Sequence, residues 1–382
     1  MTVDGIVHRI EYGNYTYRNI TAKGNLTNRL FNGDFVMKDP NADMHLKGLV
    51  DLSGKVPLFK ATADIAHADL KALGLTLEDF QLSGKFNLDL QASSLSDMIG
   101  TARISDASLT SNGKQLVFDS LVVRSFYENG LKKLNAVSNE FNATVTGDFD
   151  LQGLPDAFTV FLHRYYPSYI KAPRFVKPQI FTFDITTGVV EDYMKLIDSR
   201  LAGFNNSHIT GSLNTNANTM TVDADVPYMQ FRQYQFSDIK LKGSGDLQKL
   251  TLTGDLGNAQ IGDSLLFPQT TFTIEAQNDV SNVVVNTTSN QAINKANLSA
   301  QIKTFSDGAT VLFNPSSFIL NGKTWTLDQG GELNFRKNTV VQGGVTLRES
   351  NQQIRVWTEP DALGSWNNLR VAFQNVNVGD FS

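Results

Sequence analysis

A ten-residue pattern that steps out of phase with itself constrains this chain more than any other feature. In Tyr234-Gln-Phe236-Ser-Asp238-Ile239-Lys-Leu241-Lys-Gly243, apolar and polar residues alternate on both sides of Asp238, yet Phe236 and Ile239 are three positions apart. Three more segments read the same way. Tyr15 to Gly24 has Tyr17 and Ile20 around Asn19, Leu75 to Gly84 has Leu77 and Phe80 around Asp79 with Leu82 beyond, and Leu116 to Ser125 has Phe118 and Leu121 around Ser120 with Val123 beyond. Alternation at period two marks a strand with one dry face, and a three-residue step puts the second half on the wrong face. A β-bulge at the polar position restores the phase, bends the strand and raises its twist. The expectation is a mainly β protein whose long antiparallel sheet is curled into a groove, with bulges near Asn19, Asp79, Ser120 and Asp238 and the apolar side within.

Strand-like sequence fills 1–154 and 206–382, two β-groove segments separated by a helix-containing insert over 155–205. The Asn-Gly pairs at 32, 112, 129 and 321 suit two-residue hairpin turns, which need positive φ at both positions. They set Leu109 opposite Leu116 and Phe318 opposite Trp325, so hairpin register and alternation agree. In the insert, Pro155 suits a first helical position and Phe158, Phe161, Leu162, Tyr165 and Tyr166 make a helical stripe. After a strand at 181–185, Tyr193, Leu196, Ile197 and Leu201 make a second stripe ending near Gly203. Both short helices are expected to pack on the sheet. The four bulged copies are separated by 60, 41 and 118 residues, which a parallel β-helix of fixed coil length does not allow.

Composition narrows the function. Only 19% of the residues are charged and the formal net charge is −5, with Lys and Arg scattered, so a nucleic-acid partner is not expected. There is no cysteine, hence no disulfide and no thiolate metal site. No apolar run approaches the roughly 20 residues needed to span a bilayer, no leader precedes the first strand, and both ends read as cut from a longer β array. The five histidines follow no metal-binding spacing. Leu320-Asn-Gly-Lys-Thr324 lacks the first glycine of a phosphate loop, Gly243-Ser-Gly245 lacks the third of a dinucleotide fingerprint, and no G-x-S-x-G elbow occurs. The chain reads as neither an enzyme nor a cofactor or metal protein.

Three stretches carry a family resemblance: Pro178 to Gly188; Gly211-Ser-Leu-Asn-Thr with Ala224-Asp-Val-Pro227; and Phe313 to Trp325 followed by Val371 to Phe381. With the bulged repeat and central helices, the chain resembles the TamB/AsmA-like family, more closely its versions from Bacteroidetes-type bacteria. That resemblance implies a β-taco: a sheet folded lengthwise, its trough lined with apolar side chains, in a bridge-like lipid-transfer protein of the periplasm. It implies outer-membrane biogenesis, both phospholipid transport between the membranes and assembly of outer-membrane proteins. A full-length member is anchored to the inner membrane and meets an outer-membrane barrel partner through a C-terminal region; neither part is recognisable here.

The residues support a groove independently. About 25 to 30 strands of ordinary length stack at about 4.8 Å, and one curled sheet of that size cannot fill its own concave face. Phospholipid acyl chains are the natural cover. The expected lining is Tyr15, Tyr17, Ile20, Leu75, Leu77, Phe80, Leu82, Leu116, Phe118, Leu121, Val123, Tyr234, Phe236, Ile239, Leu241, Phe318 and Trp325, on one continuous concave surface. The competing reading is a surface adhesin or carbohydrate-binding array of β-sandwiches with closed cores, which should show domain-sized repeats and clean linkers.

Overall fold

Alternating sequence of this kind leaves the backbone little alternative to strands, and among the described residues 26 of them form one large antiparallel sheet, accompanied by two helices. The computed structural model describes every residue except 78, 95, 112, 175, 263–264, 289–292, 321, 338, 361–367 and 378–382, and the side chains at 196, 197, 261, 265, 293, 294 and 339–341. Asn112, Asn321, the Leu196 and Ile197 side chains and Val378 to Phe381, all invoked above, therefore lie outside the described residues. Among the described residues no helix is long and apolar enough to cross a membrane.

The chain divides into two compact units. Unit 1 comprises Met1–Gln152 and Phe181–Asn206. Its strands β1 (Thr2–Tyr12), β2 (Tyr15–Thr27), β3 (Leu30–Asp39), β4 (Ala42–Asp51), β5 (Leu58–Asp69), β6 (Phe80–Gln91), β7 (Ile99–Ser111), β8 (Lys114–Glu128), β9 (Leu131–Ser138) and β10 (Phe141–Asp148) form an up-and-down meander, each paired with the next.

Unit 2 comprises Gly153–Ile180 and Ser207–Ser382 and opens with helix α1 (Leu154–His163). The connecting segment of unit 1 holds β11 (Ile180–Thr187), α2 (Glu191–Ile197) and β12 (Leu201–Gly203). Unit 2 continues with the meander β13 (His208–Asn214), β14 (Thr219–Phe231), β15 (Tyr234–Gly245), β16 (Leu250–Ile261), β17 (Leu265–Gln277), β18 (Val280–Thr287) and β19 (Ile293–Phe305). The long β19 then pairs with two short strands, β20 (Gly308–Phe313) at one end and β21 (Ser316–Leu320) at the other. β22 (Lys323–Leu327) and β23 (Glu332–Arg336) complete these two short tracks, which rejoin on β24 (Thr339–Glu349) before β25 (Gln352–Glu359) and β26 (Asn368–Gln374).

The phase slips are the organising feature of both units. In β2, Asn19 has φ 51° and sits opposite His8, while Val7↔Ile20 and Arg9↔Arg18 keep one register on both sides. The break continues strand by strand. Asn19 donates to the Lys38 carbonyl at 3.2 Å, Lys38 pairs with Asp43, Ala66 is an extra residue in β5, and Asp106 (φ 49°) faces Asp119 between β7 and β8. A single crease therefore crosses β1 to β8. In unit 2 the corresponding row is Pro227, Asp238 (φ 50°), Gly257 and Gln269 (φ 49°), again without a change of register. A left-handed residue reverses the side-chain phase as a bulge does, with no extra residue needed in the partner strand.

Apolar residues on both sides of each slip share a face, as the spacing requires. Tyr15 and Tyr17 pack with buried Ile20. Leu116 and Phe118 lie on the face of Leu121 and Val123, and half-buried Phe236 on that of buried Ile239.

Four expectations are corrected. Asp79 precedes β6, whose break falls at Ser83–Gly84 instead. Ser120 pairs regularly with Ser105, the left-handed residue being Asp106 one strand away. Asn32-Gly33 is inside β3, and the turn there is Asn28–Arg29 (φ 48° and 66°). Gly33 is needed for close approach: a Cβ on it would lie 2.6 Å from the Gly24 Cα across the ladder. Leu201 belongs to β12, because α2 stops at Ile197. By contrast Asn129-Gly130 is a turn with φ 52° and 81°, and Leu109↔Leu116 and Phe318↔Trp325 pair as expected.

Helix α1 begins with Pro155 in its first turn and buries Ala157 and Phe161. Tyr165, just past its end, is 1% exposed and its hydroxyl donates to the Asp246 carbonyl. Tyr166 bonds Ser281 at 2.9 Å and Ser168 donates to Asp279 at 2.7 Å, so the segment is tied to two hairpin tips of unit 2.

Candidate functional site: the apolar face of the sheet

In unit 1, ladder pairing aligns Phe35, Leu46, Ala63, Phe86, Ile104 and Leu121 in one row across six strands. A second row holds Phe31, Val50, Phe59 and Leu90. Ala63 is buried; Phe35, Leu46, Phe86, Ile104, Leu121, Phe59 and Leu90 are only half-buried. Side chains in a flat row cover one another's flanks, so half-burial is what a sheet face without a second layer leaves. The reverse face is polar and ion-paired: Asp34 with His45 at 3.0 Å, Lys60 with Asp89 at 3.7 Å, Lys85 with Asp106 at 2.8 Å. Such exposed pairs add little to stability, and their main effect is to keep that face wet.

A packed core lies beside the crease of unit 1. Ile20, Met37, Ala42, Ala68 and Leu73 are buried there, with Tyr15, Tyr17, Phe35, Met44, Ile65 and Leu70 against them. Asp39 closes the corner by accepting from the Arg18 and Asn41 amides at 2.9 Å and from the Tyr15 hydroxyl. Burial, then the hydrogen bond to Asp39, pushes the Tyr15 hydroxyl above its ordinary pKa. Tyr193 from α2 packs its ring edge-on against Phe118 and Phe141 and donates to Glu140 at 3.0 Å; burial first, then Glu140, raises its pKa well beyond the usual range. Both tyrosines stay neutral at ordinary pH.

In unit 2 the corresponding row is Ala224, Leu241, Gly254, Phe272, Val285 and Leu298. Val226, Ile239 and Leu256 beside the crease are buried, as is Trp325, opposite Phe318. One margin is closed by α1: a Cβ on Gly245 would lie 2.5 Å from the Phe161 ring. Leu213 and Ala276, on the Gly245 row, are each 1% exposed. Burial and then the Asp246 charge push the Tyr165 hydroxyl up to about 12.

Of the expected lining, Tyr15, Tyr17, Ile20, Phe80, Leu82, Leu116, Phe118, Leu121 and Val123 fall in unit 1 strands, and Tyr234, Phe236, Ile239, Leu241, Phe318 and Trp325 in unit 2 strands. Leu75 and Leu77 are corrected: they are 63% and 93% exposed in a turn segment. Asp69 caps that segment by accepting from the Ala72 amide at 2.8 Å, and Gly74 at φ 73° turns it, so Leu73 enters the core in their place. The phase-slip pattern missed Phe59, Phe86, Leu88 and Leu90, which lie on uninterrupted alternating stretches; plain period-two alternation was the signal.

The protein exposes 22001 Å². A compact monomer of 42.1 kDa exposes about 15,000 Å², and two separate compact bodies of half that mass about 18,000 Å² together. Among the described residues no group of three potential metal ligands occurs. No family model, curated protein or solved structure matches this chain.

Proposed function

We propose that the chain is a segment of a lipid conduit or scaffold, in which phospholipid acyl chains cover the apolar face of the sheet. The observation that carries this reading is the half-buried row through Phe86 in unit 1. An apolar surface wider than the few hundred Å² a monomer ordinarily exposes needs a cover, and acyl chains supply one at about 0.8 kcal/mol per buried CH₂. Along that row there is no charged side chain to hold a ligand at one place, so bound chains are free to slide. A role in outer-membrane biogenesis, a place in the periplasm and attachment to the inner membrane rest on the TamB/AsmA-like resemblance alone. The reading assigns no catalytic step.

Photo-crosslinkers at Phe86 and at Asp89, on opposite faces of β6, test it in cells, with mass spectrometry of lipids that co-purify. Labelling of lipid from position 86 and not from 89 is expected. Equal labelling, or protein that purifies without lipid, overturns the reading and favours a closed adhesin-type array.

A further inference from the structure

The polar face of unit 1 carries a feature that lipid tails on the other side do not explain. Behind the apolar row, ladder pairing sets Lys47, Thr62, Asn87 and Arg103 side by side on β4 to β7, and beside them His45, Asp64, Lys85 and Ser105. A cavity of about 490 Å³ lies over these two rows. A twisted sheet is saddle-shaped, so the face that is convex along the strands is hollow across them.

The lining is rich in donors. Asp64 is its one carboxylate, and it faces His45 and Lys85 across the ladder. His45 is engaged by Asp34 and Lys85 by Asp106. Lys47 and Arg103 differ from these: among the described residues neither makes an ion pair, although Asp34 stands opposite Lys47 in the β3–β4 ladder, and the Asn87 amide between them makes no hydrogen bond. Three strand spacings, about 14 Å, separate their backbones, a gap that a lysine and an arginine reach into from opposite sides over Thr62 and Asn87. In a chain of net charge −5, an ammonium and a guanidinium that make no ion pair, on the two sides of an unbonded amide, can receive negative charge. A planar guanidinium opposite a point-charge ammonium suits a tetrahedral, many-oxygen anion better than a single carboxylate.

We propose that this cavity binds a phosphate-bearing anion between Lys47 and Arg103, with the Asn87 amide between them donating a hydrogen bond. Lys47, Asn87 and Arg103 alternate with the apolar row and so lie on the opposite face of the strands, although the cavity also reaches Ala63, Phe86 and Ile104 of that row. Lipid headgroups and soluble phosphates share this chemistry, and the test separates them.

Pyrophosphate is titrated calorimetrically into the full chain, and in parallel the chain is co-sedimented with vesicles of phosphatidylcholine, with and without phosphatidylglycerol. Wild type is expected to bind one or both probes in a salt-sensitive manner. Lys47→Ala with Arg103→Ala should weaken that binding by about tenfold or more, while Lys23→Ala, which removes an exposed lysine beside Asp4 (3.6 Å), leaves it unchanged. Arg103→Lys keeps the charge and should retain part of the affinity, which guards against a folding defect in the double variant; melting curves check that defect directly. Binding of pyrophosphate alone identifies a soluble phosphate, and binding of the anionic vesicles alone identifies a headgroup. Failure of both probes with wild type, or equal binding by the double variant, overturns the proposal.

Discussion

The two units use the same crease and finish their apolar faces differently. In unit 1 the crease crosses β1 to β8, a packed core lies beside it, and the row through Phe86 remains half-buried. In unit 2 the crease crosses β14 to β17, and α1 settles over Gly245 at the margin of the face, on whose row Leu213 and Ala276 are each 1% exposed. Sheet geometry alone thus leaves a central apolar row open, at Leu241, Phe272 and Val285 of unit 2 as at Phe86 of unit 1, and closing a margin takes a separate element with its own anchors. Unit 2 has that element in α1, held by Tyr165, Tyr166 and Ser168, where unit 1 has the shorter α2 with Tyr193 against Phe118 and Phe141.

The sharpest way to break this comparison is to put a charge on each face. Leu213→Asp should destabilise unit 2 by about 3–5 kcal/mol, as a buried unpaired carboxylate does. Phe86→Asp should cost unit 1 much less, about 1–2 kcal/mol, because water reaches the half-buried row. Denaturant unfolding of the two variants checks this; equal losses would mean that the unit 1 face is as closed as that of unit 2. Gly245→Val comes next. With its Cβ 2.5 Å from the Phe161 ring, α1 must shift, at about 2–3 kcal/mol. Trypsin should then cut faster at Arg164 and Lys171, and unchanged cleavage would show that α1 is not held where Gly245 meets it.

A smaller effect tests the crease itself. Asn19→Val, a β-branched residue at φ 51°, should cost about 1–2 kcal/mol, and Asn19→Gly should be close to neutral. Equal effects of the two substitutions in thermal unfolding would remove the left-handed position from the account. Smallest is Tyr165→Phe, which removes one hydrogen bond to the Asp246 carbonyl, about 1 kcal/mol at neutral pH. Because the folded-state pKa of Tyr165 is raised to about 12, its contribution is full below about pH 10 and is lost as pH rises toward that folded value. The stability gap between wild type and Tyr165→Phe should therefore narrow over that range. A gap constant with pH would show that the hydroxyl does not titrate with folding.

Much of the strand pattern was legible because alternation is a local property. The slip from Tyr17 to Ile20, from Phe118 to Leu121 and from Phe236 to Ile239 carried enough information to put both halves of each strand on one face. Two errors came from residues with more than one use. Gly33 follows an asparagine as in a hairpin turn, but it serves close backbone approach in β3, a requirement set by the neighbouring strand. Leu75 and Leu77 alternate like a strand, yet the Asp69 cap and Gly74 make a turn of that segment. The division of β19 between β20 and β21 was not legible at all, since it depends on which of two short strands reaches each end of a long one. Of the candidate site, the residues near the crease were found through the slip, while Phe59, Phe86 and Leu90 were passed over because nothing interrupts their alternation. The Lys47–Arg103 row could not be read in advance, because it exists only once β4 to β7 lie in register.

The crease also has a mechanical meaning. A flat ribbon bends easily out of its plane, but a ribbon folded along its length resists bending, because material on either side of the fold must stretch or compress. The line from His8 through Asn19, Lys38, Asp43, Ala66, Gly84 and Asp106 to Asp119 is such a fold, and it keeps the hydrogen-bonded ladder intact on both flanks. Across β1 to β8 the protein therefore behaves as a corrugated beam, stiff along the direction in which strands are added and soft only where the fold line is interrupted.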